Sequence, residues 1–280
     1  MSLIVNTNVQ AMNSLNRLGN TNYQLGKVFE RLSSGLRINR AADDAAGLGM
    51  AESFDAEYRG MRQALRNSND GISVVQVAEG AYNEIANILK RLKELAVQAS
   101  SETLGSTERV YIESENHAIT EEMTRIGDVT EFNGVSLLGG AVSALSVQVG
   151  ASASLNDRIS IELTDWSSDA VKVKLQGAGL DIDLSTASSA QTSLVAIDFL
   201  LASVNSDRSQ LGAVQNRLES TLRNISTYTE NIAAAKSRIL DADFAYETAQ
   251  LAKYQILQES GVAILGQANL ISEAALNLLE

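Results

Sequence analysis

The chain has 280 residues, of which 45% are hydrophobic, a globular balance with room for one or two domains. Its net charge of -12 argues against nucleic acid or an anionic membrane as a partner. It contains no Cys and no Pro, although ordinary usage would supply about 14 prolines. Disulfides and thiolate metal sites are thereby excluded, and nothing interrupts a long helix.

Aromatic residues make up only 5% of the chain, with a single Trp, which points to an aliphatic, helical core. The ends carry opposite charge. Residues 1–66 have eight Lys/Arg and six Asp/Glu, whereas residues 241–280 have one Lys and six Asp/Glu. That asymmetry suits two helices packed together. No apolar run reaches the roughly 18 residues needed to span a bilayer. MSLIVNTNVQ lacks the charged and apolar regions of a secretory signal peptide, so export would need another route.

In chain order, Val5, Val9 and Met12, then Leu18, Leu25, Phe29, Leu32 and Leu36, keep helical spacing. A second helix is predicted from about Asp70 to Ser100, with Val75, Tyr82, Ile85, Leu89, Leu92, Ala96 and Ala99 on one face. A third runs from about Ser106 to Gly127, on Ile112, Ile119, Met123 and Ile126. Phe132-Asn133-Gly134-Val135 then signals a hairpin, because Asn-Gly accommodates two positive φ angles. Short β-prone runs follow at Ser146–Val149, Ile159–Leu163, Val171–Leu175 and Leu180–Leu184. They predict a small antiparallel β region within an otherwise helical protein.

Residues 191–239 carry the clearest pattern. Ile197, Val204, Leu211, Leu218, Ile225, Ile232 and Ile239 recur every seventh residue. The interleaved positions are Leu194, Leu201, Arg208, Gln215, Leu222, Thr229 and Lys236. This three-four spacing predicts one helix about 70 Å long in a bundle. The last helix repeats the rule through Tyr254, Leu257, Gly261, Ile264, Ala268, Ile271, Ala275 and Leu278. Leu265, Leu270, Leu276 and Leu279 add apolar surface outside that seam. A helix this apolar on several sides needs several neighbours. We therefore expect an assembly core of Leu18, Leu25, Phe29, Leu32, Leu36, Leu257, Ile264, Ile271 and Leu278. Ile197, Val204, Leu211, Leu218, Ile225 and Ile232 are expected to form an internal seam.

Residues with chemical capability are few. His117, near Glu113, Glu121 and Glu122, has no second His or Cys to complete a metal site and reads as a surface residue. Asp43-Asp44 and Asp241 with Asp243 lie at helix breaks, where carboxylates cap helix starts. Gly47-Leu48-Gly49 lacks the rest of a nucleotide-binding fingerprint. No catalytic triad, cofactor site or metal site is expected, and the chain does not read as an enzyme.

Several long segments resemble bacterial flagellins. SLIVNTNVQAMNSLNRL at Ser2–Leu18 is similar to their N-terminus, with Val5 in the place of an Ile. RLSSGLRINRAADDAAGL at Arg31–Leu48, NDGISVVQVAEGA at Asn69–Ala81, LKRLKELAVQAS at Leu89–Ser100 and Phe132–Leu138 continue the likeness. SRILDADFAYETAQLAKYQILQESG and the later QAN and LL extend it over Ser237–Leu279. The resemblance spans about 1–140 and 190–280, with no match in 141–189.

It implies a mainly α fold with long terminal coiled-coil helices, a helical bundle and a small inserted β-hairpin region. Residues 1–44 with 236–280 would form an inner terminal domain, 45–140 with 190–235 a helical domain with a β-hairpin, and 141–189 a small outward-facing variable β region. It further implies polymerisation into the extracellular filament that drives swimming, alone or with other flagellins. Unfolded export by the flagellar type III system would precede it. An export chaperone at the C-terminus, a filament cap and hook-junction proteins are the implied partners. Arg91, Leu95 and Glu115 occupy places contacted by Toll-like innate receptors in some flagellins, whereas Lys90, Leu92 and Lys93 differ from the best-recognised form. A hook–filament junction protein and a secreted coiled-coil assembly protein are the alternative readings.

Overall fold

The structure is a computed structural model, which describes residues 7–179 and 181–277. Six helices dominate: α1 (Val9–Ser34), α2 (Ala45–Ala99), α3 (Ser106–Val129), α4 (Ser168–Gly177), α5 (Ala187–Leu240) and α6 (Phe244–Asn277). Four strands, β1 (Glu131–Phe132), β2 (Val135–Ser136), β3 (Ala144–Gln148) and β4 (Arg158–Glu162), lie between α3 and α4. The chain divides into two compact units. Unit 1 comprises Met1–Tyr58 with Glu230–Glu280, and unit 2 comprises Arg59–Thr229.

Helix ends follow their capping residues. Asn8 caps α1, its side chain accepting from the Ala11 N–H at 3.0 Å. Gly35 closes that helix at φ 72°, donating back to the Arg31 carbonyl. The Asp44 carboxylate accepts from the Gly47 N–H (2.8 Å) at the start of α2, and Asp243 accepts from Ala245 and Tyr246 at the start of α6. These carboxylates cap helices, as their place in the sequence suggested.

Helix α2 starts 25 residues before the helix expected from apolar spacing at Asp70. Its first half is rich in Gly and polar residues, which dilute the periodic signal without breaking the helix. Two of those glycines have a packing reason. A Cβ on Gly60 would lie 2.9 Å from Ala151 Cβ, and one on Gly71 would lie 3.0 Å from Val147. Both positions let the β3–β4 hairpin lie close against the helix.

The hairpins form largely where expected. Asn133 (φ 51°) and Gly134 (φ 76°) make the tight turn between β1 and β2. Strands β3 and β4 pair antiparallel with Leu145 opposite Ile161 and Val147 opposite Ile159. The expected strand at Val171–Leu175 is instead part of α4. Alternation of Val and Lys suggested a strand, but Val171 and Leu175 are buried while Val173 is exposed, the helical i, i+4 choice. The Leu180–Leu184 strand is also absent over 181–184, and Leu180 lies outside the described residues. There the backbone donors of Asp183 and Leu184 go to Ser193 Oγ and Glu113 Oε2 in place of a ladder.

The unit 2 core is aliphatic, with Ile85, Leu89, Leu92, Met123, Leu138 and Leu184 among its fully buried members. On α5, Ile197, Val204, Leu211, Leu218 and Ile225 are buried here, and Ile232 is buried in unit 1. By length and composition α5 could cross a membrane, although no uninterrupted apolar run marks it. Its apolar stripe is spent on this core. The polar interleaved positions turn aside: Gln215 donates to Glu219, Thr229 donates to the Ile225 carbonyl, and Lys236 pairs with Asp55.

Trp166 anchors the inserted region. Its Nε1–H donates to Asp207 Oδ2 (3.0 Å), and Thr164 Oγ1 donates to Asp207 Oδ1 (2.9 Å). Tyr82 meets the indole edge to face at 6.3 Å. Burial pushes the Tyr82 phenol well above its ordinary range. The Lys174 ammonium sits 4.1 Å from the indole centroid, and burial lowers its pKa. Leu218→Ala, at the centre of the α5 stripe, is expected to cost unit 2 about 2–5 kcal/mol. Urea unfolding of the purified chain followed by Trp fluorescence measures it.

Candidate assembly interface

Unit 1 is built on an antiparallel pair of helices from opposite ends of the chain. Asn8 Nδ2 donates to the Ala268 carbonyl (2.9 Å), and Arg31 Nη1 pairs with Glu247 Oε1 (3.1 Å). Between these two ties, a Cβ on Gly261 would stand 3.4 Å from Leu18 Cδ1, so glycine admits the leucine at ordinary contact. At the far end Leu36 bridges Asp241, the Arg37 N–H reaches the Leu240 carbonyl (2.6 Å) and the Ala242 N–H reaches the Gly35 carbonyl (2.9 Å).

The covered stripe of α1 runs through Ala11, Ser14, Leu18, Thr21, Leu25, Val28 and Leu32, in three-four spacing. That of α6 runs through Glu247, Leu251, Tyr254, Gln258, Gly261, Leu265 and Ala268. Tyr254, Gly261 and Ala268 are where the sequence put them, but Leu265, expected off the seam, lies on it. Leu257 and Ile264, expected on it, remain 45% and 59% exposed. Both candidate stripes have the same period, and only the partner's position decides between them. Leu18, Leu25, Leu32 and Leu36 are half-buried, and Phe29 is 49% exposed. Ile271 lies within α6; Val5 and Leu278 lie outside the described residues.

A large apolar surface is thus left uncovered on both helices. Val9, Met12 and Leu15 expose it on α1, and Ile256, Val262 and Leu270 continue it on α6 beside Leu257 and Ile264. An open groove of about 680 Å³ runs along the pair, lined by Arg17, Leu18, Leu257, Gly261 and Ile264. Polar side chains including Gln10, Asn13 and Ser260 also line it, and so many exposed apolar residues on one helix pair suit a protein-contact site.

Comparison with known proteins bears directly on this surface. Residues 5–143 match the bacterial flagellin N-terminal helical region, and residues 194–279 match the bacterial flagellin C-terminal helical region. The chain belongs to the bacterial flagellin family. It is 43% identical over 277 residues to a flagellin of Halalkalibacterium halodurans, covering 99% of this chain and 100% of that one. With a Bacillus subtilis flagellin it shares 40% identity, covering 98% and 99% of the two chains. The crystal structure of Bacillus cereus flagellin superposes with a TM-score of 0.50 at 27% identity, over 61% of this chain and 94% of that one. Flagellin is a structural protein family, and the helical ends that match it are those that form and flank the α1–α6 pair.

Other candidate residues are also placed. Arg91 and Glu115 meet as a half-exposed pair at 2.7 Å, and Arg91 also bonds Glu94. Leu95 is 1% exposed and belongs to the core, so its side chain is not part of that surface. His117 is exposed, 3.3 Å from Glu113. No group of three or more His, Asp or Glu side chains with metal-binding geometry occurs among the described residues. Asp43 is held below the usual carboxylate range by Lys27, 3.1 Å away, with the Asn39 and Arg40 N–H groups assisting.

The sequence reading missed the Arg31–Glu247 tie. A partial signal was available, because Glu247 falls on the covered stripe of α6 and Arg31 stands beside Leu32 at the edge of that of α1. Glu247 is buried and its Oε2 has no hydrogen-bond partner among the described residues. Removing Arg31 would leave that carboxylate uncompensated. Arg31→Met is expected to weaken the α1–α6 pair by about 1–3 kcal/mol, and Arg31→Met with Glu247→Leu to recover most of it. Thermal melting of terminal helicity by circular dichroism, on assembled material, measures both.

Proposed function

We propose that the chain is the structural subunit of the extracellular bacterial flagellar filament and acts by polymerising, without catalysis. The observation that carries this reading is the apolar face left exposed by α1 and α6 in a chain of this family. Burial of that face is worth about 25 cal/mol per Å², and it must exceed the cost of ordering two long helices. In a free monomer the ends are therefore largely unfolded, and they adopt the paired form as copies assemble. Contacts between unlike patches propagate along an open helix and give a fibre.

On this reading residues 1–44 with 236–280 are the inner domain, 45–140 with 190–235 the surrounding helical domain, and 141–189 the outward-facing region. The assembly core is Leu18, Leu25, Phe29 and Leu32 on α1 and Leu36 just beyond it, with Leu257, Ile264, Ile271 and Leu278. The chain is exported unfolded through the flagellar type III route, its acidic C-terminal helix held beforehand by a chaperone. It folds beneath a filament cap, on hook-junction proteins, alone or with other flagellins. The absence of Pro removes slow isomerisation from refolding after passage.

Purified chain is expected to elongate on filament seeds, seen by electron microscopy and sedimentation. Deletion of 241–280 is expected to abolish elongation, and Ile264→Asp to slow it strongly. A native chain that binds seeds as a thin layer without elongating would establish the junction-protein alternative instead.

The half-exposed Arg91–Glu115 pair supports recognition by a Toll-like receptor, without a direct contact from the buried Leu95. Purified monomer is expected to activate receptor reporter cells, and Arg91→Ala to lower that activity about tenfold or more, as for loss of an interface arginine anchor. An inert native monomer would reject this role.

A further inference from the structure

The turn between β1 and β2 carries chemistry that polymerisation does not use. Asn133 is the only Asn of the chain that is followed by Gly. The amide carbon of an Asn side chain can close a five-membered ring with the backbone nitrogen of the next residue. A side chain on that next residue obstructs the approach, and glycine has none. Asn is for this reason among the thermolabile residues.

The structure leaves this pair open to the reaction. Asn133 and Gly134 are both exposed. Neither the Gly134 N–H nor the Asn133 side-chain amide has a hydrogen-bond partner among the described residues. A Cβ placed on Gly134 would meet nothing within 4 Å, so the space around the nitrogen is clear. Asn13, Asn67 and Asn205 each precede Ser, another small residue, but lie inside α1, α2 and α5. There the following N–H is committed to the helix ladder.

We propose that Asn133 is a site of spontaneous covalent modification, converting to aspartate and isoaspartate through a cyclic imide with Gly134. The Gly134 nitrogen gives its proton to a base in the solvent and attacks Asn133 Cγ. The N–Cγ bond forms, the Cγ–Nδ2 bond breaks, and Nδ2 takes up a proton and leaves as ammonia. Water then opens the ring. Cleavage at Cγ gives aspartate at position 133. Cleavage at the main-chain carbonyl gives isoaspartate, whose backbone runs through Cβ and is one methylene longer. Either product adds a negative charge to the hairpin that carries Glu131.

The two products differ in consequence. Aspartate accepts the left-handed conformation of the turn, as Asn does. The longer isoaspartate backbone does not fit a two-residue loop that sets Phe132 opposite Val135. The chain leaving this turn is tied into the core. The Leu137 N–H reaches the Thr130 carbonyl (2.8 Å), the Trp166 N–H reaches the Leu138 carbonyl (2.8 Å), and Leu137 and Leu138 are buried. Isoaspartate therefore loosens the seat of Trp166.

Purified chain aged while folded, at mildly alkaline pH, tests this by peptide mass spectrometry. The peptide holding Asn133 is expected to gain the mass of an amide-to-acid change before any other Asn peptide, and faster as pH rises. It is also expected to become a substrate for isoaspartate methyltransferase. Aged chain is expected to contain a population that unfolds at lower urea, read by Trp166 fluorescence. Asn133→Gly keeps a residue suited to the turn but has no amide, and is expected to lose all three signals. An Asn133 peptide that keeps its mass, or that is outpaced by another Asn, overturns the inference. Isoaspartate formation that leaves Trp166 unfolding unmoved overturns its consequence for the core. None of these outcomes depends on filament formation.

Discussion

Everything in unit 1 depends on two helices from opposite chain ends meeting along one narrow stripe. The stripe is made of small and medium side chains, with Ala11 and Ala268 buried and Gly261 admitting Leu18. Such a seam brings the backbones close but buries little area per residue. Most of the apolar surface of α6 consequently points elsewhere, at Ile256, Leu257, Val262 and Ile264. That exposed surface is available to other copies of a chain of this family.

Unit 2 differs in burying most of its long aliphatic stripes within itself. Its long α5 stripe is buried, and Asp207 satisfies both Trp166 and Thr164 where the inserted region returns to the bundle. Glycines at 60 and 71 let the β3–β4 hairpin lie on α2. A bulkier side chain at either point would push the hairpin away.

Much of this was legible in the sequence because period and turn chemistry are local. The heptads of α5, the Asn133-Gly134 turn and the caps at Asp44 and Asp243 need no tertiary information. What escaped depended on contacts between distant residues. The first half of α2 hid behind glycines whose purpose is the hairpin 80 residues away. The alternation at Val171–Val173 mimicked a strand until burial chose Val171 and Leu175. On α6, Leu257 and Leu265 carry equal hydrophobicity, and only the position of α1 makes Leu265 the covered one. The inward fate of Leu95 was likewise invisible in a motif match.

The single tryptophan has a consequence of its own. Trp166 is buried within unit 2, against Tyr82 and beneath Lys174. Its emission therefore reports the packing of that unit and is silent about the terminal helices, whose aromatic side chains are Tyr and Phe. Far-ultraviolet ellipticity, by contrast, is dominated by helix wherever it occurs. Two optical signals from one unlabelled chain thus separate unit 2 from the helical content of the chain as a whole.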